Sequence, residues 1–125
     1  MAKAANDAVM DAALDVVATA TVMVACSAQP TTYAEAVTTY ALADVVMAGG
    51  DYTKANGDAS GRKVTMGAKS GVLIDVSGTA THVALARVAD TVLVYVTTCT
   101  AQALTANGSN TVSFPAWKIE IADPT

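Results

Sequence analysis

From Gly61 to the C-terminus the chain alternates with a period of two, and that period leaves little choice of fold. "RKVTMGA" sets Arg62, Val64 and Met66 against Lys63 and Thr65. "TATHVALAR" sets His82, Ala84 and Ala86 against Thr81, Val83, Leu85 and Arg87. Val112 and Phe114 share one parity; past Pro115, Trp117, Ile119 and Ile121 share another, with Lys118 and Glu120 facing out. A helix places every third or fourth residue on one face, so alternation at this period specifies strands. Turn signals at Lys69-Ser70-Gly71, Ser77-Gly78, "VAD" (Val88–Asp90) and "TANGSN" cut the run at intervals of about eight to twelve residues. Short strands so spaced predict an antiparallel β-sandwich, jelly-roll or immunoglobulin-like. Pro115 lacks the N–H a ladder needs and should mark an edge or a bulge.

Ahead of this β region, "NDAVMDAALDVVA" predicts one short α-helix over residues 6–18. Asn6 is a good N-cap, and Asp7 and Asp11 suit the positive end of the helix dipole. Val9, Ala13, Val16 and Val17 fall on one face, which Met10 and Leu14 extend, with the acidic residues opposite. "TATVMVAC" (Thr19–Cys26) then reads as a strand, and Ser27–Tyr40 as a loop opened by Pro30. Thr31 or Thr32 is placed there to cap one helical turn through Tyr33–Ala36. "ALADVVMA" suits a helix or a strand, and "GGDYTKANGDASG" reads as turns. Residues 1–125 form one domain, 19–122 mostly strands and turns.

Hydrophobic residues make up 53% of the chain but aromatics only 5%, so the core must be built from small and β-branched side chains. Charged residues are 14%, against roughly 25% in soluble domains. So bland a surface favours burial against copies of itself or a larger assembly. The net charge is −4, and the seven basic residues are scattered apart from Arg62-Lys63. Nucleic-acid binding requires a basic stripe, so none is expected. No apolar run approaches the ~20 residues of a membrane span, and no leader pattern opens the chain. Synthesis and assembly in a cytoplasm, without membrane attachment, is the expectation.

Candidate chemistry is sparse. His82 is the only histidine, and Cys26 and Cys99 are the only cysteines. A Cys99/His82 dyad would need a nucleophile motif that Cys99, among threonines, does not have; His82 reads as structural. Neither cysteine has zinc-ligand spacing. Both follow valine-rich strands, which fits small buried hydrophobes; a disulfide or an inter-subunit cross-link formed after oxidation is the other reading. Asp51, Asn56 and Asp58 share a loop without calcium-loop spacing and suit turn geometry. The glycines form no nucleotide cradle. No catalytic residue, metal or cofactor is assigned.

"SGTATHVALARVADTVLVYVTTCTAQALTANGSNTVSFPAWKIEIAD", with the helix "NDAVMDAALDVV" and the loop "CSAQPTTYAEA", resembles small virion proteins of tailed bacteriophages over nearly the whole chain. It departs from them at "ARVADT", where a shorter, glycine-containing turn is usual. The resemblance implies a non-enzymatic virion structural protein. Its preferred place is capsid decoration, as a cement oligomer binding the major capsid protein; a neck, collar or tail-associated position is the alternative. A carbohydrate-binding module of a host-facing fibre is a further one, disfavoured by the scattered aromatics. Contacts with partner proteins are expected from Ala2, Lys3 and Ala4, from Tyr33 and Tyr40, and from Pro124, with Asp44 and Asp51 adding polar contacts.

Overall fold

The computed structural model describes residues 5–124. Helix α1 (Asp7–Val17) is followed by nine strands: β1 (Val22–Cys26), β2 (Ala41–Val46), β3 (Tyr52–Asn56), β4 (Arg62–Met66), β5 (Lys69–Leu73), β6 (Gly78–Arg87), β7 (Val92–Leu104), β8 (Thr111–Phe114) and β9 (Trp117–Ile121). The architecture is mainly β and antiparallel, with one helix near the N-terminus. A four-stranded sheet runs β2-β1-β6-β7, a three-stranded sheet β3-β4-β9, and β5 pairs with β8.

The four-stranded sheet is buried on both sides at its centre. Register pairs Met23 with Leu85 and Val24 with Ala84, so successive residues of β1 and β6 serve opposite faces. On the inner face Met23, Ala25 and Leu85 pack in one cluster with Val64, Met66, Ile119 and Phe114. The indole Nε1 of Trp117 donates to Met23 Sδ at 3.4 Å, tying β9 across to β1. On the outer face Val24, Cys26 and Ala84 form a second cluster under Ala36, with Val37 and Tyr40 packed against it. Small and β-branched residues fill the outer layer as expected, but the inner layer departs from that expectation: four leucines, three methionines and Phe114 stand in it beside alanine, valine and isoleucine.

Asn6 caps α1 as predicted, its Oδ1 accepting from the Ala8 N–H at 2.8 Å. The predicted face is buried in part. Met10 and Leu14 are buried and Val17 half-buried, whereas Val9 and Val16 are 66% and 57% exposed and Ala13 is exposed. The two largest apolar side chains of the face therefore take the core, which removes the most apolar surface from water. Beside them Asp11 pairs with Arg62 and Asp15 with Lys54, so the acidic side also meets the β3–β4 hairpin.

Four further segments differ from, or resolve, the expectation. "ALADVVMA" contains strand β2, paired along its length with β1. "GGDYTKANGDASG" is only partly turn: a 3₁₀ turn at Gly49–Asp51 leads directly into β3. The helical turn predicted through Tyr33–Ala36 is present and runs further, helical from Tyr33 and π-helical over Glu35–Thr39. Its entry is held by Glu35, whose carboxylate accepts from the Thr31 N–H and hydroxyl, while Thr32 Oγ1 accepts from the Glu35 N–H. β7 continues past Cys99 to Leu104. Pro115 lies in neither an edge strand nor a bulge but in the unpaired break where the chain leaves β8 and enters a different sheet at β9.

Two turns show why their residues are needed. Gly61 has φ of +72°, and a Cβ there would lie 1.8 Å from the Ile121 carbonyl oxygen, so only glycine lets β4 begin against the end of β9. The β6–β7 hairpin turns at Val88–Thr91, the predicted place, with Thr91 at φ +53° in the left-handed region glycine would take more readily.

The helix orientation is directly testable. Leu14→Ala should cost ~3 kcal/mol in urea unfolding, since it empties a site that is 1% exposed. Val9→Ala and Val16→Ala should each stay within about 0.5 kcal/mol of the parent; equal losses at all three would show the whole predicted face buried.

Candidate association surface

β7 dominates the functional geography of the molecule. It is thirteen residues long, pairs with β6 along one side, and forms an edge of its sheet. Two register shifts interrupt that pairing. Between Leu85 and Ala86 the strand carries the extra residue Val94; between Ala80 and His82, Cys99, Thr100 and Ala101 stand opposite Thr81 alone. Bulges of this kind bend a strand and raise its twist. From Thr98 to Ala103 every residue is exposed, so this segment presents both faces as well as its edge.

The strand and the segment beyond it, as far as β9, are uncharged. Between Asp90 and Lys118 the 27 residues Thr91–Trp117 include no Asp, Glu, Lys, Arg or His. Elsewhere each described cation lies beside a carboxylate. Lys54 pairs with Asp15, Arg62 with Asp11, Lys63 with Asp58, Lys69 with Asp51, Arg87 with Asp90, and Lys118 with Asp58 and Glu120. Every described Lys and Arg side chain therefore has a carboxylate partner. The Arg62 guanidinium holds the Asp11 carboxyl below the usual range, and Arg87 does the same for Asp90.

Beside β7 lies a groove of about 670 Å³, floored by Val83, Phe114, Pro115 and Trp117 and flanked by Thr97, Thr98 and Cys99. Lys63 and Lys118 stand at its rim, already engaged by Asp58. A smaller hollow of about 220 Å³ continues from it between Gln102 and Leu104 of β7 and Val112 of β8, sharing Cys99 and Pro115. Trp117 on the groove floor also packs near Tyr95, their rings 6.1 Å apart at 33°.

The two cysteines have different fates. Both are free, but Cys26 is fully buried and Cys99 exposed, so only half of the shared expectation holds. Cys26 Sγ donates to the Ala36 carbonyl oxygen at 3.5 Å, and burial, with a lesser effect of Cys99, pushes its thiol up to about 11. Such a thiol cannot reach a neighbouring copy. Cys99, in the β7 bulge, is raised less, again by burial, and opens on the groove.

His82 is half-buried on the outer face, in register between Cys26 and Thr98. Its Nδ1 lies 2.9 Å from Thr81 Oγ1, whose hydroxyl donates to the Ser27 carbonyl. Thr81 is the hydrogen-bond partner of the ring, and no hydrogen bond joins it to Cys99. Asp51, Asn56 and Asp58 are not brought together either: they engage Lys69, Arg62, and the pair Lys63 and Lys118 respectively. No group of three metal-binding side chains occurs among the described residues.

Of the expected partner contacts, Ala2, Lys3 and Ala4 lie outside the described residues. Pro124 is exposed. Tyr33 is half-buried, and Tyr40 is engaged by its own sheet, packed on the outer cluster. Asp51 is tied to Lys69 and the Ala48 N–H. Asp44 is exposed at the other sheet edge, opposite Val24; lost hydration first, and the Asp75 charge second, raise its carboxyl above the usual range. The β7 surface escaped sequence reasoning, although the charge-free run was its visible signal.

The chain matches no known protein family, and no curated protein or solved structure proves similar to it. No described helix is long and apolar enough to cross a membrane.

Two measurements check this surface chemistry. Ellman's reagent should titrate one thiol in the native protein and two in denaturant, with Cys99→Ser abolishing the native signal; two native thiols would show that Cys26 is accessible. Asp44 gives a pH signature. Its raised folded-state pKa costs stability above that pKa, and the cost is relieved as pH falls through it towards the ordinary carboxylate value. Asp44→Asn should therefore raise the urea midpoint at pH 7, with the gain gone by about pH 3.

Proposed function

We propose that this chain is a non-enzymatic structural protein of a tailed-phage virion, a decoration protein that binds the major capsid shell as a small homo-oligomer and stabilises it. The observation that carries the proposal is the uncharged β7 edge with its groove. Many-copy packing on a shell requires surface that loses little hydration on burial, and an uncharged strand edge meets that need. The resemblance of Ser77–Asp123 to phage virion proteins supplies the context. The engagement of each described cation by a carboxylate supports protein rather than nucleic-acid partners, since phosphate binding draws on free basic groups. His82, bound to Thr81, supports a role in holding β6.

Antibody labelling of intact particles under the electron microscope tests the assignment. Label spread over the head is the expected result. A single ring at the neck, or label along the tail, would move the protein to the alternative position. Particles without label would remove the virion assignment and leave the groove, with Trp117 on its floor, to the carbohydrate-binding alternative.

A further inference from the structure

We infer that the Thr98–Ala103 segment of β7 is the contact between two copies of this chain, meeting antiparallel about a two-fold axis. An edge strand exposes unpaired peptide groups, and natural edges are blunted by charges, prolines, bulges or a covering element. "TCTAQA" has no charge and no proline, and it is exposed throughout. Its one blunting device is the bulge that sets Cys99, Thr100 and Ala101 opposite Thr81, and this bends the strand at the centre of the segment.

Electrostatics selects a second copy as the occupant. The chain carries net charge −4, so copies repel wherever acidic surfaces meet. Thr91–Trp117 adds nothing to that repulsion at the contact itself, because neither copy brings a charge there. A strongly charged partner would gain nothing from such a surface; an identical uncharged strand gains backbone pairing and packing without desolvating an ion. A two-fold contact also needs one self-complementary patch, which identical antiparallel strands provide.

Six residues alone do not supply the ~800 Å² per partner of a stable interface. Thr98–Ala103 is continuous with further uncharged surface, since all of the 27 residues Thr91–Trp117 except Leu104 and Phe114 reach the surface, so the contact extends from the strand into the groove beside it. The inference rests on reading β7 as an assembly surface, and not on the place of the protein in a virion.

The test is the oligomeric state of the full chain by light scattering and sedimentation, with reducing agent present. The parent should be a dimer at about 100 µM. Thr100→Lys with Gln102→Lys should weaken association by roughly a hundredfold or more, since the two-fold brings like charges together. Val46→Lys, on the opposite sheet edge where Val46 is 76% exposed, should dimerise like the parent. Amide exchange on the unaltered protein gives a readout free of folding defects: the Thr98–Ala103 amides should slow as concentration rises. A monomeric parent, a lysine variant that dimerises unchanged, or amides indifferent to concentration would each overturn the inference. A chain that dimerises but does not label particles would remove the virion assignment alone; a monomer found on phage heads would remove this inference alone.

Discussion

The pairing of β1 with β6 is the contact on which the rest of the molecule depends. Met23 and Leu85 face inward and Val24 and Ala84 outward, all four completely buried. A strand pair buried on both faces can shift register by no residue, because a slip of one would exchange the two layers. Each layer is matched to its cover by size. Inward, methionine and leucine reach the β4 and β9 side chains; outward, alanine and valine let the π-helical turn settle close enough for Ala36 to be fully buried. Larger residues on the outward side would lift that turn, and with it the hydrogen bond from Cys26 to Ala36.

From this centre, burial falls toward both edges of the sheet. β2 ends exposed at Val46, and β7 is exposed over half its length. Charge is distributed the other way. The paired ions collect around α1, the β3–β4 hairpin and β9, while β1 and β7 have none. These exposed pairs contribute little to stability individually. They link elements: Asp11 and Asp15 join α1 to the β3–β4 hairpin, and Asp58, shared by Lys63 and Lys118, joins the β3–β4 turn to β9.

The sequence makes the β architecture legible because alternation is a local property. β4, β6 and β9 stand where the period of two places them, and Asn6 caps the helix because its side chain needs only the next turn of backbone. The buried face of the helix was legible only in part, since Val9 and Val16 are as apolar as Met10 and Leu14, and which of them meets the core depends on residues distant in sequence. β3 was hidden for a related reason: Thr53, Lys54 and Asn56 are exposed, so nothing apolar marks that strand beyond Tyr52 and Ala55. The two cysteines, alike in sequence context, parted because one falls on a covered central strand and the other in a bulge at an edge. Neither position can be read from neighbouring residues.

The bulge also explains how so plain an edge can exist in a folded protein. A flat, uncharged thirteen-residue edge would pair indiscriminately with any extended chain. Two bulges break β7 into shorter stretches of different twist, so only a strand bent to match can lie along it. In the proposed dimer, a second copy of β7 turned about the middle of Thr98–Ala103 would set its own Cys99–Ala101 bulge against this one. Irregularity here takes the part that charge takes on other edges: it leaves the surface easy to desolvate while narrowing what can cover it. An edge protected by lysines would refuse every copy alike, whereas an edge protected by its own shape remains open to itself.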